Sequence, residues 1–167
     1  YSKGQTLLEV IVVIAVGIII VGALVFATIS SLRNAATAKN QAQATKLAQE
    51  GLEKVRASRD RGGEITGVGF PNYPWNDINF WNNNIAVNYC VPPQICFFKL
   101  NSTGNLNFIT VSTVPPSGGE QLGNFTRYIV ISDDANFASW KLVEAVVVWS
   151  DFAGIHESRM KSILRKL

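Results

Sequence analysis

A chain of 167 residues, 47% of them apolar and with a net charge of +3, is long enough for one domain with a modest core and too weakly charged to argue for a nucleic-acid partner. Its basic residues are dispersed; the nearest cluster, Arg159, Lys161, Arg165 and Lys166, reads as the wet face of a terminal strand. One histidine and two cysteines fall short of the four ligands of a structural zinc site and of a nucleophile–base pair, so no catalytic residue, metal or cofactor is expected.

The chain opens YSKGQTLLEV and then runs from Val10 to Ile29, twenty residues without a charge. As a helix rising about 1.5 Å per residue, that run spans about 30 Å, the hydrocarbon thickness of a bilayer. It continues without a turn residue into SSLRNAATAKNQAQATKLAQEGLEKVRASRDRGG, which has no proline and is rich in good helix formers. In that second stretch Ala44, Ala48, Leu52 and Val55 fall on one stripe, the spacing of an amphipathic helix with a packed partner. Gly62 and Gly63 are expected to stop it. The result is one helix of more than fifty residues, greasy all round in its first half and on one side in its second.

Glu9 stands directly before the apolar run, where an ionised carboxylate is costly unless paired. KGQTLLEV followed by such a run resembles the amino-terminal signal of type IV pilins and of the pseudopilins of type II secretion. The resemblance implies a short leader ending at Gly4, cleavage by a prepilin peptidase between Gly4 and Gln5, methylation of the new terminus, and a docking role for Glu9. There it would meet the terminal amine of a neighbouring subunit; solvation of Glu9 by headgroups is the alternative. It implies a bacterial, non-enzymatic filament subunit, held by a single span in the inner (cytoplasmic) membrane with its carboxyl-terminal domain outside. Assembly machinery in that membrane then lifts it into a surface pilus or a pseudopilus. The family's usual phenylalanine is here Gln5, and the span carries Gly17 and Gly22 but no proline, which favours a pseudopilin or minor pilin. Lys3 stands alone before the span while Arg33, Lys39 and Lys46 follow it, so charge counting opposes the implied orientation.

The domains expected are 1–4 as a leader remnant, 5–31 as membrane-spanning and filament-core helix, 32–61 as amphipathic helix, and 62–167 as the extracytoplasmic domain. Within the last, 62–94 reads as irregular, because Pro71, Pro74 and several glycines punctuate it. Its aromatics, Phe70, Tyr73, Trp75, Phe80 and Trp81, either fill the gap between helix and sheet or form a binding surface. Cys90 and Cys96 close a short loop if oxidised; two buried thiols are the alternative.

Beyond residue 94, strands are expected at 95–100, 106–111, 125–132, 140–150 and 155–166, with a tight turn at Asn101–Asn105 and a loop at 114–124. The run WKLVEAVVVWS is apolar on both faces and reads as a central strand; the last strand alternates charges with His156, Met160 and Leu164 and reads as an edge. The fold class is therefore α+β: a pilin-like long helix on an antiparallel sheet of about four to five strands. The rival reading is a membrane-tethered extracellular module in which the 70–81 aromatics or the basic last strand contact a ligand, a surface or DNA, with no role for Glu9. Asp133 and Asp134 lack the loop spacing of a calcium site and are expected in a turn.

Overall fold

The computed structural model describes residues 3–82, 90, 94–134, 137 and 139–166. Tyr1 and Ser2 of the expected leader remnant, and parts of the 62–94 segment, lie outside those residues. Contacts divide the chain into two compact units, Tyr1–Asn40 and Gln41–Leu167.

The first unit is helical from Lys3 onward, belonging to a helix α1 that spans Lys3–Asp60, 58 residues. No proline interrupts it, and its end follows from local chemistry. The N–H groups of Gly62 and Gly63 donate to the carbonyls of Arg59 (3.0 Å) and Ser58 (2.8 Å), and Gly62 takes the left-handed φ of 68° that such a cap requires.

In the second unit, α1 residues 41–60 lie on a sheet built from β1 (Glu64–Thr66), β2 (Tyr73–Pro74), β3 (Ile95–Leu100), β4 (Leu106–Ser112), β5 (Glu120–Leu122), β6 (Phe125–Asp133), β7 (Trp140–Asp151) and β8 (Gly154–Arg165). A short helix, α2 (Ile78–Asn82), precedes β3. The order is β2-β1-β4-β3-β6-β7-β8, and β5 pairs with β6. Thus β7 is flanked on both sides and β8 is an edge, as their patterns predict.

Three expectations need correction. The described residues form eight strands rather than four to five. The segment 62–94 is not wholly irregular, since it contributes β1, β2 and α2, and the 114–124 loop contains β5. Strands of two or three residues are too short to show a period in sequence; β5 exists because β3 pairs β6 only at Phe97↔Val130 and Phe98↔Ile129, leaving Phe125 to Arg127 open to it. Finally, β1 and β4 pair in parallel at Ile65↔Leu106 and Thr66↔Asn107, so the sheet is mostly rather than wholly antiparallel.

The core lies between α1 and the inner face of the sheet. Ala44, Ala48, Leu52 and Val55, the stripe read from the sequence, are buried against Ile129, Ile131, Val143, Ala145, Val147 and Leu164. Complete burial of each valine, leucine or isoleucine contributes about 1.5–3 kcal/mol. Phe70, Trp75, Phe80 and Trp81 are buried in the same cluster and Tyr73 packs against it. The aromatics of the connection are therefore core, with Trp75 and Trp81 edge-on to Phe80 at 5.2 and 5.3 Å between ring centroids. On the outer face, Phe97, Tyr128, Val130 and Val146 form a second cluster. Tyr128 anchors loop 113–119 over that face by donating its hydroxyl to the Pro116 carbonyl; burial pushes its pKa up.

Candidate functional site

The sequence points to α1 residues 4–29 as the working part of the chain. Every residue from 7 to 36 is exposed, including Leu7 (64%), Ile19 (70%) and Phe26 (75%). From Val10 to Ile29 that exposed surface is apolar on all sides and carries no charge, which is incompatible with water and marks a lipid or protein interface. The helix that carries it is long and apolar enough to cross a membrane once. Within the run, the Thr28 hydroxyl donates to the Val25 carbonyl at 2.8 Å, so its polar group is satisfied without water.

Gly4 and Gln5 lie within the first turn of α1. Glu9 follows Gln5 by four residues, which places the two on one helix face a single turn apart.

The other half of α1 is fixed by polar ties as well as by its stripe. Thr45 and Ser158 share a hydrogen bond of 3.3 Å. Arg56 donates to Ser162 at 2.7 Å, Arg59 to the Arg165 carbonyl at 3.1 Å, and Ser58 to Asn105 at 3.1 Å while accepting from Trp75 at 3.2 Å. The most buried tie is Arg127, with 0% side-chain exposure. Its Nε donates to Glu120 at 2.8 Å and Nη1 to the Leu47 carbonyl at 2.7 Å. Nη2 lies 2.6 Å from Glu120 in ion-pair contact without hydrogen-bond alignment. Glu50 lies 3.9 Å from Arg127 and its carboxyl is held below the usual range, first by the hydrogen bond from Lys54, then by the cations around it. Gly51 makes room for this: a Cβ there would sit 2.9 Å from Arg127 Cδ.

Arg127 was not among the residues the sequence singled out. The signal was present, because in FTRYIVIS it shares a face with Phe125, Ile129 and Ile131, and an arginine at a core position demands partners. Lys141 follows the same rule: it is fully buried, pairs with Asp133 across β6 and β7, and lies over the Phe80 ring at 5.4 Å.

The remaining sequence candidates are placed as follows. His156 stacks on Trp149 with centroids 5.5 Å apart and its Nε2 lies 2.9 Å from Asp151 Oδ1. Asp133 closes β6 against Lys141, and Asp134 accepts from the Phe137 amide at 3.1 Å. Among the described residues no three His, Cys, Asp or Glu groups converge as a metal site. Cys90 and Cys96 are joined in a disulfide, with Cα atoms 5.4 Å apart, and both are buried. No family model, curated protein or solved structure matches this chain.

Proposed function

We propose that the chain is a structural subunit, of minor pilin or pseudopilin type, in a type IV pilus or type II secretion-like filament. The observation that carries this reading is the pairing of two opposite surfaces in one helix: an exposed apolar run, Val10–Ile29, directly behind Glu9, and residues 41–60 packed on a sheet. A span used only as a tether needs no acid at its mouth, whereas a helix that moves from lipid to a bundle of equivalent helices does. In that bundle the apolar residues pack laterally, and Glu9 is neutralised by the amine that cleavage after Gly4 releases at Gln5.

The partners are other subunits of the same class, the prepilin peptidase, the inner-membrane assembly machinery and, before assembly, lipid. The cytoplasmic membrane is the proposed place of waiting, with residues 41–167 on its outer side, and the filament the place of work. The decisive experiment has two arms. Amino-terminal sequencing of filament-borne protein is expected to begin at Gln5; a retained Lys3 overturns cleavage. Glu9→Ala is expected to reduce filament incorporation at least tenfold while leaving membrane insertion unchanged, an effect of the size expected when one buried charge pair is lost. Wild-type incorporation of that variant overturns docking.

A further inference from the structure

The β7–β8 hairpin ends in DFAGI, and its tip presents two large apolar side chains to solvent: Phe152 is 64% and Ile155 81% exposed. The turn is rigid. Asp151 Oδ1 accepts from the Ala153 amide at 2.8 Å and contacts His156 Nε2 at 2.9 Å, while His156 stacks on the buried Trp149. Gly154, at a φ of 124°, permits the reversal. The apolar tip is thus held by a buttress of polar and aromatic contacts, so presenting it to a partner costs little conformational entropy.

The polar ties between α1 and β8 fix which end of the domain this is. Thr45 meets Ser158, Arg56 meets Ser162 and Arg59 meets Arg165. The helix and the strand therefore run in the same sense, and residues 151–155 lie beyond Ser158 at the end where Gln41 enters the domain. Only residues 30–40 separate Gln41 from the end of the apolar run at Ile29, and even fully extended they reach no more than about 40 Å. Nearest the tip, Glu157 is neutralised by Arg159 at 2.8 Å, and Asp151 is spent on the turn.

From this placement we infer that the β7–β8 tip is a second membrane contact, in which Phe152 and Ile155 enter the headgroup boundary of the bilayer that holds the span. The inference rests on the membrane-span part of the proposed function and is independent of filament assembly. Two apolar side chains on a preformed turn, inserted about 5–10 Å, would hold the domain against the surface while the subunit waits.

The test uses the full chain in phosphatidylcholine–phosphatidylglycerol vesicles. An environment-sensitive fluorophore is placed on Ala153→Cys, with labels on Ile20→Cys in the span and Ser102→Cys in the remote Asn101–Asn105 turn as references. The expected result is a blue-shifted Ala153 label quenched by lipid-borne nitroxide and shielded from iodide, as at Ile20, with the Ser102 label showing the reverse. Adding Phe152→Ser and Ile155→Ser should return the Ala153 label to the Ser102 behaviour. An iodide-accessible Ala153 label with Ile20 still protected overturns this inference and leaves the span intact; loss of protection at both overturns the span. A label shielded from both quenchers identifies a second protein copy as the partner and equally overturns the lipid contact.

Discussion

Arg127 shows how one side chain can join three elements. From β6 it reaches Glu120 on β5, the Leu47 carbonyl on α1 and the neighbourhood of Glu50. Losing one member of a buried pair costs more than losing both, because the survivor stays desolvated. Glu120 retains 19% exposure, which places the cost at the lower end of the range. Arg127→Leu is therefore expected to lower the unfolding free energy by about 3 kcal/mol, measured by urea unfolding in detergent. The double variant Arg127→Leu/Glu120→Leu should recover most of that loss; a double variant no better than the single one would show that the guanidinium acts through packing instead. Gly51 belongs to the same arrangement, and Gly51→Ala should destabilise by crowding Arg127 rather than by altering helix propensity.

At the scale of elements, the long strands were legible and the short ones were not. Strands β3, β4, β6, β7 and β8 fall within one residue of their expected bounds at every end, because each is long enough for its alternation to be counted. The inward faces of β6 and β7 could be read from Phe125, Ile129 and Ile131 and from Val143, Ala145 and Val147. The same alternation places Arg127 and Lys141 on those inward faces, where both are buried. Strands β1, β2 and β5 are only two or three residues long, too short for a period to show, and β1 also needs a partner distant in sequence: it pairs with β4 only after the chain has passed through α2, the disulfide and β3. Of the candidate site, the apolar run, Glu9 and the packed stripe were legible from composition and period. The hairpin buttress was not, since it depends on Trp149 and His156 facing each other across the β7–β8 register.

The carboxylates that brace these elements set an acid limit. Asp151 is held below the usual carboxylate range first by the Ala153 amide and also by His156; Glu157 is held down by the hydrogen bond from Arg159, and Glu50 by that from Lys54. A group whose folded pKa is depressed contributes stability that is complete above its unfolded value, about 4. That contribution is lost as pH falls through the lower folded value. Thermal unfolding followed by circular dichroism should therefore show a flat Tm above about pH 5 and a decline toward about pH 2. Asp151→Asn should start lower and decline less, and an unchanged acid slope would remove Asp151 from the account.

For the molecule as a whole, the disulfide closes the connection between the aromatic core segment and β3, in a domain whose core is otherwise assembled from pieces far apart in the chain. Its loop is short, with a sequence separation of 6, so the stabilisation expected from restricting the unfolded chain is at the low end, about 2 kcal/mol. Cys90→Ser/Cys96→Ser should lose that amount in chemical unfolding while the apolar helix still inserts in membranes. Loss of insertion as well would mean that the two compact units do not fold independently.

The shared direction of α1 and β8 carries a mechanical corollary. Tension applied along the helix axis slides helix past strand, and sliding must rupture the contacts at Thr45, Arg56 and Arg59 together; a sideways load peels them in succession. At Ser58 and Arg59 the helix is riveted to both flanks of the sheet, through Asn105 on one side and the Arg165 carbonyl on the other. The domain is consequently expected to resist a load along its own long helix better than a load across it.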